Sequence, residues 1–157
     1  MKLCLLLGLT LLGSAEALLL PLTRPKGQAV AQSASLKIWV DAPLRLSMQD
    51  PSYTVKKVSV SARARENGQR CKPGSFEFLQ WDSSKPINSL GRNNDFKKHQ
   101  ASFLTGARKA GWNVRLVRSR QVWQHYTFTR NKQTYFALLS DPKTFPASYQ
   151  ALICRTR

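Results

Sequence analysis

Residues 114–130, VRLVRSRQVWQHYTFTR, contain the pattern that decides the fold class. The segment mixes four arginines with aromatic and β-branched residues, contains no acidic residue, and alternates as β-strands do. It predicts two consecutive strands, roughly 113–118 and 122–130. A third strand is predicted at 134–139, after a tight turn at 131–132. Three short consecutive strands indicate an antiparallel sheet.

The sequence on both sides of this segment predicts further strands and one helix. From Asp95 to Ala110, apolar residues recur at helical spacing, with Asn93 or Asn94 as the N-cap and Gly111 as the stop. Further strands are predicted at 36–40, 54–65, 76–81 and in the tail YQALICR (149–155). We therefore expect an α+β domain with an antiparallel sheet of about five to six strands and one main helix packed on one face.

The segment TVKKVSVSARAR, residues 54–65, shows the most regular alternation in the chain. The two alternating sets are Val58, Val60, Ala62 and Ala64 on one side, and Lys57, Ser59, Ser61, Arg63 and Arg65 on the other. This pattern predicts a strand with one buried face and one basic face in contact with water. The Asn67-Gly68 pair that follows predicts a hairpin turn.

The N-terminus has the features of a secretory signal peptide. A single Lys2 precedes an apolar run, and the small-residue triplet at 15–17 is a typical cleavage site. We expect cleavage after Ala17 and no membrane span in the cleaved chain. The alternative is a retained apolar anchor, against which Glu16 argues, because a carboxylate is costly within a bilayer. The predicted localisation is therefore periplasmic or extracellular.

The segment that follows, residues 18–35, is rich in proline, glycine and small polar residues and has no periodicity. It predicts a flexible N-terminal lead. Residues 36–157 are then expected to form a single α+β domain, which is an ordinary size for one domain.

The net charge of the 157-residue chain is +17. Removal of the signal peptide would take away one base, Lys2, and one acid, Glu16, so this charge would not change. A large positive charge favours anionic partners and salt-sensitive association with them. The predicted partners are nucleic acid, lipopolysaccharide, acidic polysaccharide or an acidic protein.

Two cysteines, Cys71 and Cys154, lie in the predicted domain. In an exported protein such a pair predicts a disulfide. Two thiols without close spacing, together with two scattered histidines, do not form a recognisable metal-ligand set. We therefore predict one disulfide, no metal site and no cofactor.

Strand parity suggests a binding surface on the sheet. Val122, Tyr126 and Phe128 form the more apolar face of their strand and are expected to meet the helix, which leaves the opposite face open. Trp39 and Lys37 are assigned to this open face as well. The predicted ligand-binding residues are Lys57, Arg63, Arg65, Arg115, Trp123 and His125. Arginine and lysine beside aromatic rings suit single-stranded nucleic acid or charged sugars. Alternatively, Trp39 and Trp123 are core residues of a second, covered layer.

A catalytic alternative uses Glu77 and His125 as base and acid, with Arg115 or Arg130 stabilising a phosphorane. The segment HYTFTR (125–130) resembles the end of bacterial guanyl-specific ribonucleases, which also pack a helix on an antiparallel sheet. The sequence departs from that family because Glu77 precedes the predicted helix and a hairpin follows His125.

The sequence favours a non-enzymatic module over an enzyme. The first hypothesis is an exported basic binding module of the cell envelope or extracellular space that engages an anionic partner through an arginine, lysine and tryptophan face. The second is a secreted basic ribonuclease-like toxin. The third is a structural subunit of an envelope assembly.

Overall fold

The computed structural model describes residues 30–41, 44–45, 51–144 and 146–157. The strands are β1 (Val30–Gln32), β2 (Trp39–Asp41), β3 (Leu44–Arg45), β4 (Cys71–Trp81), β5 (Asn113–Arg120), β6 (Trp123–Arg130), β7 (Gln133–Ser140) and β8 (Tyr149–Thr156). The helices are α1 (Pro51–Glu66) and α2 (Leu90–Lys109). The predicted signal peptide and most of the predicted lead lie outside the described residues.

Six strands form one antiparallel sheet in the order β3-β4-β8-β7-β6-β5, and β1 pairs with β2 in a separate two-stranded sheet. Strands β5 and β6 pair as an antiparallel hairpin. The predicted tight turn before β7 is confirmed. Asn131 and Lys132 both have positive φ, as a two-residue hairpin turn requires. The fold is therefore α+β with a helix packed on an antiparallel sheet, as predicted.

Helix α2 covers one face of the large sheet. Its apolar stripe is buried against Leu79, Ala137 and Ile153 of the central strands. The helix begins five residues before the predicted start at Asp95. The cause is Ser89, whose side chain accepts a hydrogen bond from the N–H of Arg92 at 3.1 Å and caps the first turn.

The predicted strand at 54–65 is wrong, because this segment belongs to helix α1. Val60 and Ala64 lie one helical turn apart, and both are fully buried on Phe78, Leu138 and Leu152 of the other sheet face. Other apolar residues of the alternating pattern point to water, since Val58 is 61% exposed. The sheet is therefore covered by a helix on each face.

The predicted hairpin turn at Asn67-Gly68 instead ends α1. Gly68 has a φ of 70° and donates its N–H to the carbonyl of Arg65 at 2.9 Å. This is the left-handed residue that commonly follows a helix. The Asn67-Gly68 pair therefore ends a helix and does not connect two strands. The next element after α1 is the long strand β4.

The predicted disulfide is confirmed. Cys71 at the start of β4 bonds to Cys154 near the end of β8, with the Cα atoms 5.5 Å apart. The two strands are neighbours in the sheet, so the bond ties together residues that are 83 positions apart in the sequence.

Candidate anion-binding surface

The register of β5 on β6 places three arginines on one side of the sheet. Arg115 lies opposite Thr127, and Arg118 and Arg120 lie opposite the next two residues that share its face. An extra residue, Val117, bulges out between Leu116 and Arg118. Because side chains alternate along a strand, this bulge restores the parity that keeps all three arginines on the same face.

This surface lies at the open edge of the sheet. Strand β5 is the last strand and pairs only with β6 within the described residues. Helix α1 packs mainly on β4, β8 and β7. The three arginines are consequently exposed, and the Trp123 side chain beside them is half-buried. We call the set Arg115, Arg118, Arg120, Trp123 and Thr127 the arginine face.

The end of α1 borders the arginine face. Glu66 accepts a hydrogen bond from Arg63 at 2.8 Å, and the guanidinium of Arg120 lies 3.7 Å from the same carboxylate. Arg63 lowers the pKa of Glu66 through this hydrogen bond. The last turn of α1 therefore adds one cation, Arg63, and one anion, Glu66, to the border of the arginine face.

The structure places His125 on the same face as the arginines, as the strand parity predicts, but the ring is buried. Only 1% of His125 is exposed, and its Nδ1 lies 3.1 Å from the side-chain amide of Asn67, in the turn after α1. The ring also packs edge-on against Phe136. Because the ring is enclosed, it packs beneath the arginine face and is not accessible to a ligand.

Burial lowers the pKa of His125, and the positive charges of Arg63, Arg118 and Arg120 act in the same direction against the opposing charge of Glu66. A neutral ring suits the contact with Asn67, since the amide then donates to Nδ1. At pH values below the ordinary value of 6.5, the unfolded chain takes up a proton that the folded chain does not. The folded state therefore loses stability as the pH falls below 6.5.

We expect the wild-type protein to be less resistant to urea at pH 5.5 than at pH 7.5, and His125→Asn to show a smaller difference between these conditions. Asparagine keeps a polar side chain at the site but does not titrate. Urea unfolding curves at the two pH values measure the effect. An identical pH dependence in the wild type and the variant would contradict this assignment.

The structure does not bring Glu77 and His125 together. In the register across β4, β8, β7 and β6, Glu77 aligns with Tyr126. His125 is the next residue along β6 and therefore projects to the opposite face. Glu77 instead holds the segment before β2, through hydrogen bonds from Ser33, Ala34 and Ser35. This geometry gives no support to an acid–base pair.

The remaining predicted binding residues do not share one sheet face. Lys57, Arg63 and Arg65 belong to α1, so the predicted continuous basic sheet face is wrong as a structure. Lys57 and Arg65 are exposed, whereas Arg63 is held by Glu66. Trp39 lies in β2 of the small sheet and is half-buried. Of the predicted ligand-binding residues, Arg115, Trp123 and His125 share a face, and His125 is enclosed.

The charge of the protein is not balanced at its surface. Within the described residues, the carboxylates are engaged in internal contacts. They pair as Asp41 with His99, Glu66 with Arg63 and Arg120, Glu77 with the 33–35 segment, Asp82 with Gln80, Asp95 with Ser83, and Asp141 with the N–H of Lys143. Exposed cations such as Arg115 and Arg118 have no acidic partner within salt-bridge distance in this part of the chain. Two of the three arginines of the arginine face therefore carry a positive charge that no carboxylate of the described residues balances, while Arg120 shares Glu66 with Arg63.

Two residues of this face, Arg118 and Arg120, are not among the predicted binding residues. The sequence alone predicts only that these two arginines belong to a solvated basic surface. The bulge at Val117 assigns them to the side of Arg115, and a bulge depends on pairing with the neighbouring strand.

No group of three or more potential metal ligands occurs among residues 30–41, 44–45, 51–144 and 146–157. In these same ranges no helix is both long and apolar enough to cross a bilayer. Comparison of the chain with protein-family models, curated proteins and solved structures gives no match.

Proposed function

We propose that this protein is an exported, non-enzymatic binding module that holds an anionic partner on the arginine face. The observation that carries this proposal is the alignment of Arg115, Arg118 and Arg120 on one open side of an edge strand. The apolar run after Lys2 and the disulfide support export.

The spacing of the arginines favours a linear polyanion. Residues on the same face of a strand lie about 7 Å apart, so the three guanidinium groups form a row along β5. Guanidinium groups bind phosphate or sulfate oxygens through paired N–H donors. The half-exposed indole of Trp123 adds an apolar surface beside this row. The partner is then single-stranded nucleic acid, lipopolysaccharide, acidic polysaccharide or an acidic segment of a protein.

The test compares two variants that lose the same number of positive charges. One carries Arg115→Gln, Arg118→Gln and Arg120→Gln on the arginine face. The control carries Lys97→Gln, Lys98→Gln and Lys109→Gln, which are exposed residues of α2. We expect the first variant to bind polyuridylic acid about tenfold more weakly or worse, and the control to stay close to the wild type.

The salt dependence gives a second readout. Each lost phosphate contact to a single strand should reduce the slope of log affinity against log salt by about 0.7. The arginine variant should therefore have a clearly smaller slope than the control. Equal weakening in both variants would mean that net charge alone holds the polyanion, and absence of retention on heparin or RNA by the wild type would remove the proposal.

The two alternative functions give different outcomes in the same assays. A ribonuclease would shorten the RNA during incubation, and this cleavage would disappear in His125→Ala. A structural subunit would ignore polyanions and copurify with one acidic envelope protein. Neither alternative has a geometric observation of its own in the described residues.

A further inference from the structure

A second basic feature lies beside the disulfide. It is a groove of about 720 Å³ between the last turns of α1, the turn after it, and the joined ends of β4 and β8. Its walls are formed by Ser61, Arg65, Gly68, Gln69, Arg70, Cys71, Pro73 and Arg157. This lining shares no residue with the arginine face.

Three of the lining residues are arginines. Arg65, Arg70 and Arg157 are exposed, and none has an acidic partner within salt-bridge distance in the described part of the chain. The N–H of Arg157 donates to the carbonyl of Arg70 at 3.0 Å. The disulfide joins Cys71, the residue after Arg70, to Cys154, three residues before Arg157. The backbone that carries two of these side chains is thus held in place beside the groove, and guanidinium groups bind oxyanions through paired N–H donors.

The groove also contains an unused hydrogen-bond acceptor. The side-chain oxygen of Gln69 is buried and has no hydrogen-bond partner among the described residues. The backbone N–H of Gln69 is held by the carbonyl of Ala64 at 2.9 Å, so the residue is anchored at the end of α1. A buried polar atom without a partner is rare in folded proteins. Rotation of the Gln69 side chain toward the groove would expose this oxygen and let it accept a hydrogen bond from a hydroxyl group of a ligand.

The size and lining narrow the class of ligand. The volume lies in the range of small-molecule sites and is much larger than an inorganic phosphate ion. Its lining, all of it within the described residues, includes no aromatic ring on which a nucleobase could stack. A ligand with an oxyanion and several hydroxyl groups matches both the arginines and the amide oxygen.

We propose that this groove binds a phosphorylated sugar. The phosphate lies among Arg65, Arg70 and Arg157, and the sugar hydroxyls contact Gln69 and Ser61. This site is independent of the arginine face, because the two surfaces use different residues on opposite sides of the end of α1. The phosphorylated sugar is either a free molecule or a unit of a larger glycan.

Calorimetric titration of the oxidised protein tests the proposal with four probes: ribose 5-phosphate, ribose, inorganic phosphate and adenosine monophosphate. We expect ribose 5-phosphate to bind at least about tenfold more tightly than ribose or phosphate alone, since each of these makes only part of the contacts. Adenosine monophosphate should bind no more tightly than ribose 5-phosphate, because the base has no ring to stack on. A phosphorylated glycan that binds more tightly than the monosaccharide would identify the glycan as the source.

Two variants separate the roles of the lining residues. Arg65→Gln with Arg157→Gln should weaken ribose 5-phosphate by about tenfold or more. Gln69→Leu should weaken ribose 5-phosphate but leave phosphate unchanged. The triple glutamine variant of the arginine face is the matched control and should bind ribose 5-phosphate as the wild type does.

The outcomes also separate this proposal from the proposed function. Loss of sugar phosphate binding in the groove variant, with polyuridylic acid still bound, supports an independent site. Absence of ribose 5-phosphate binding by the wild type at low salt overturns the groove proposal and leaves the arginine face untouched. Much tighter binding of the nucleotide, or equal losses in the groove and arginine-face variants, also overturns it. Urea midpoints of each variant show whether a loss is due to unfolding.

Discussion

Replacement of Glu77 by alanine is expected to lower the free energy of unfolding by about 2–3 kcal/mol. The Glu77 carboxylate is buried and accepts hydrogen bonds from the Ser33 hydroxyl at 2.9 Å and from the N–H groups of Ala34 and Ser35 at 2.7 and 2.8 Å. Alanine would leave these three donors without their acceptor. The Ser33 hydroxyl is buried, and a buried donor without a partner costs about 1–3 kcal/mol. The N–H of Ala34, in an exposed residue, can donate to water instead and adds less.

The effect should extend to the core under α2. Leu36 and Ile38 follow the segment that Glu77 holds, and both side chains are fully buried. The hydroxyl of Ser33 also accepts a hydrogen bond from the N–H of Leu36 at 3.1 Å. Loss of the carboxylate should therefore loosen the turn at residues 33–36, which positions these two side chains in the core.

Urea unfolding measures the change, and two variants serve as controls. Glu77→Gln keeps one oxygen acceptor and should fall between the wild type and Glu77→Ala. Asp82→Ala removes an exposed carboxylate of equal charge and should unfold near the wild-type urea concentration. If Glu77→Ala were as stable as Asp82→Ala, the assigned role of Glu77 would be wrong. Amide hydrogen exchange at residues 34 and 35 gives a local readout of the same contact.

The second large effect is expected from removal of the disulfide. In the chain-entropy account, a bond between residues 83 positions apart stabilises the fold by up to about 4.6 kcal/mol. The double variant Cys71→Ala with Cys154→Ala should lose about 2–5 kcal/mol, the usual range for a native disulfide. Alanine is chosen because Cys154 is buried and a hydroxyl there would be costly.

Reductant provides the control for this experiment. The reduced wild type should unfold at a urea concentration close to that of the double variant, and reductant should not change the double variant further. A reduced wild type that is as stable as the oxidised protein would contradict the prediction. Because the bond fixes the strand ends that carry Arg70 and Arg157, reduction should also weaken binding of ribose 5-phosphate.

The predictions for the C-terminal half of the fold are accurate because local patterns control it. Strand β6 alternates apolar and polar residues from Tyr126 to Thr129, and β7 and β8 are short, mostly apolar runs. The Asn131-Lys132 pair adopts the left-handed turn that joins β6 to β7. Helix α2 has the apolar spacing of a helix that packs on one face. In each case the spacing of the apolar residues, or the short length of an apolar run between turns, favours the element that forms.

The segment 54–65 shows where local pattern fails. Val58, Val60, Ala62 and Ala64 alternate as in a strand, but alanine, lysine and arginine favour a helix and Pro51 suits a helix start. Only Val60 and Ala64 meet the sheet, where Phe78 and Leu152 provide an apolar surface. That surface comes from distant parts of the chain, so no window of sequence around α1 contains it.

The candidate binding surface was predicted only in part, again because contacts with distant residues are not visible in a local stretch of sequence. Alternation along β6 correctly places Trp123 and His125 on the side of Arg115. Burial of His125 depends on Asn67, which lies 58 residues away in the sequence. The grouping of Arg118 and Arg120 with Arg115 depends on one extra residue in the pairing of β5 with β6.

The sequence by itself determined the fold class, the disulfide and the excess of positive charge, because these follow from composition and from short-range periodicity. The tertiary structure alone decided which cations stand together. It placed α1 over the centre of the sheet, left the arginines of β5 at the open edge, and joined the ends of β4 and β8 beside a groove. Such groupings require contacts between residues that are far apart in the chain, and local residue patterns do not specify those contacts.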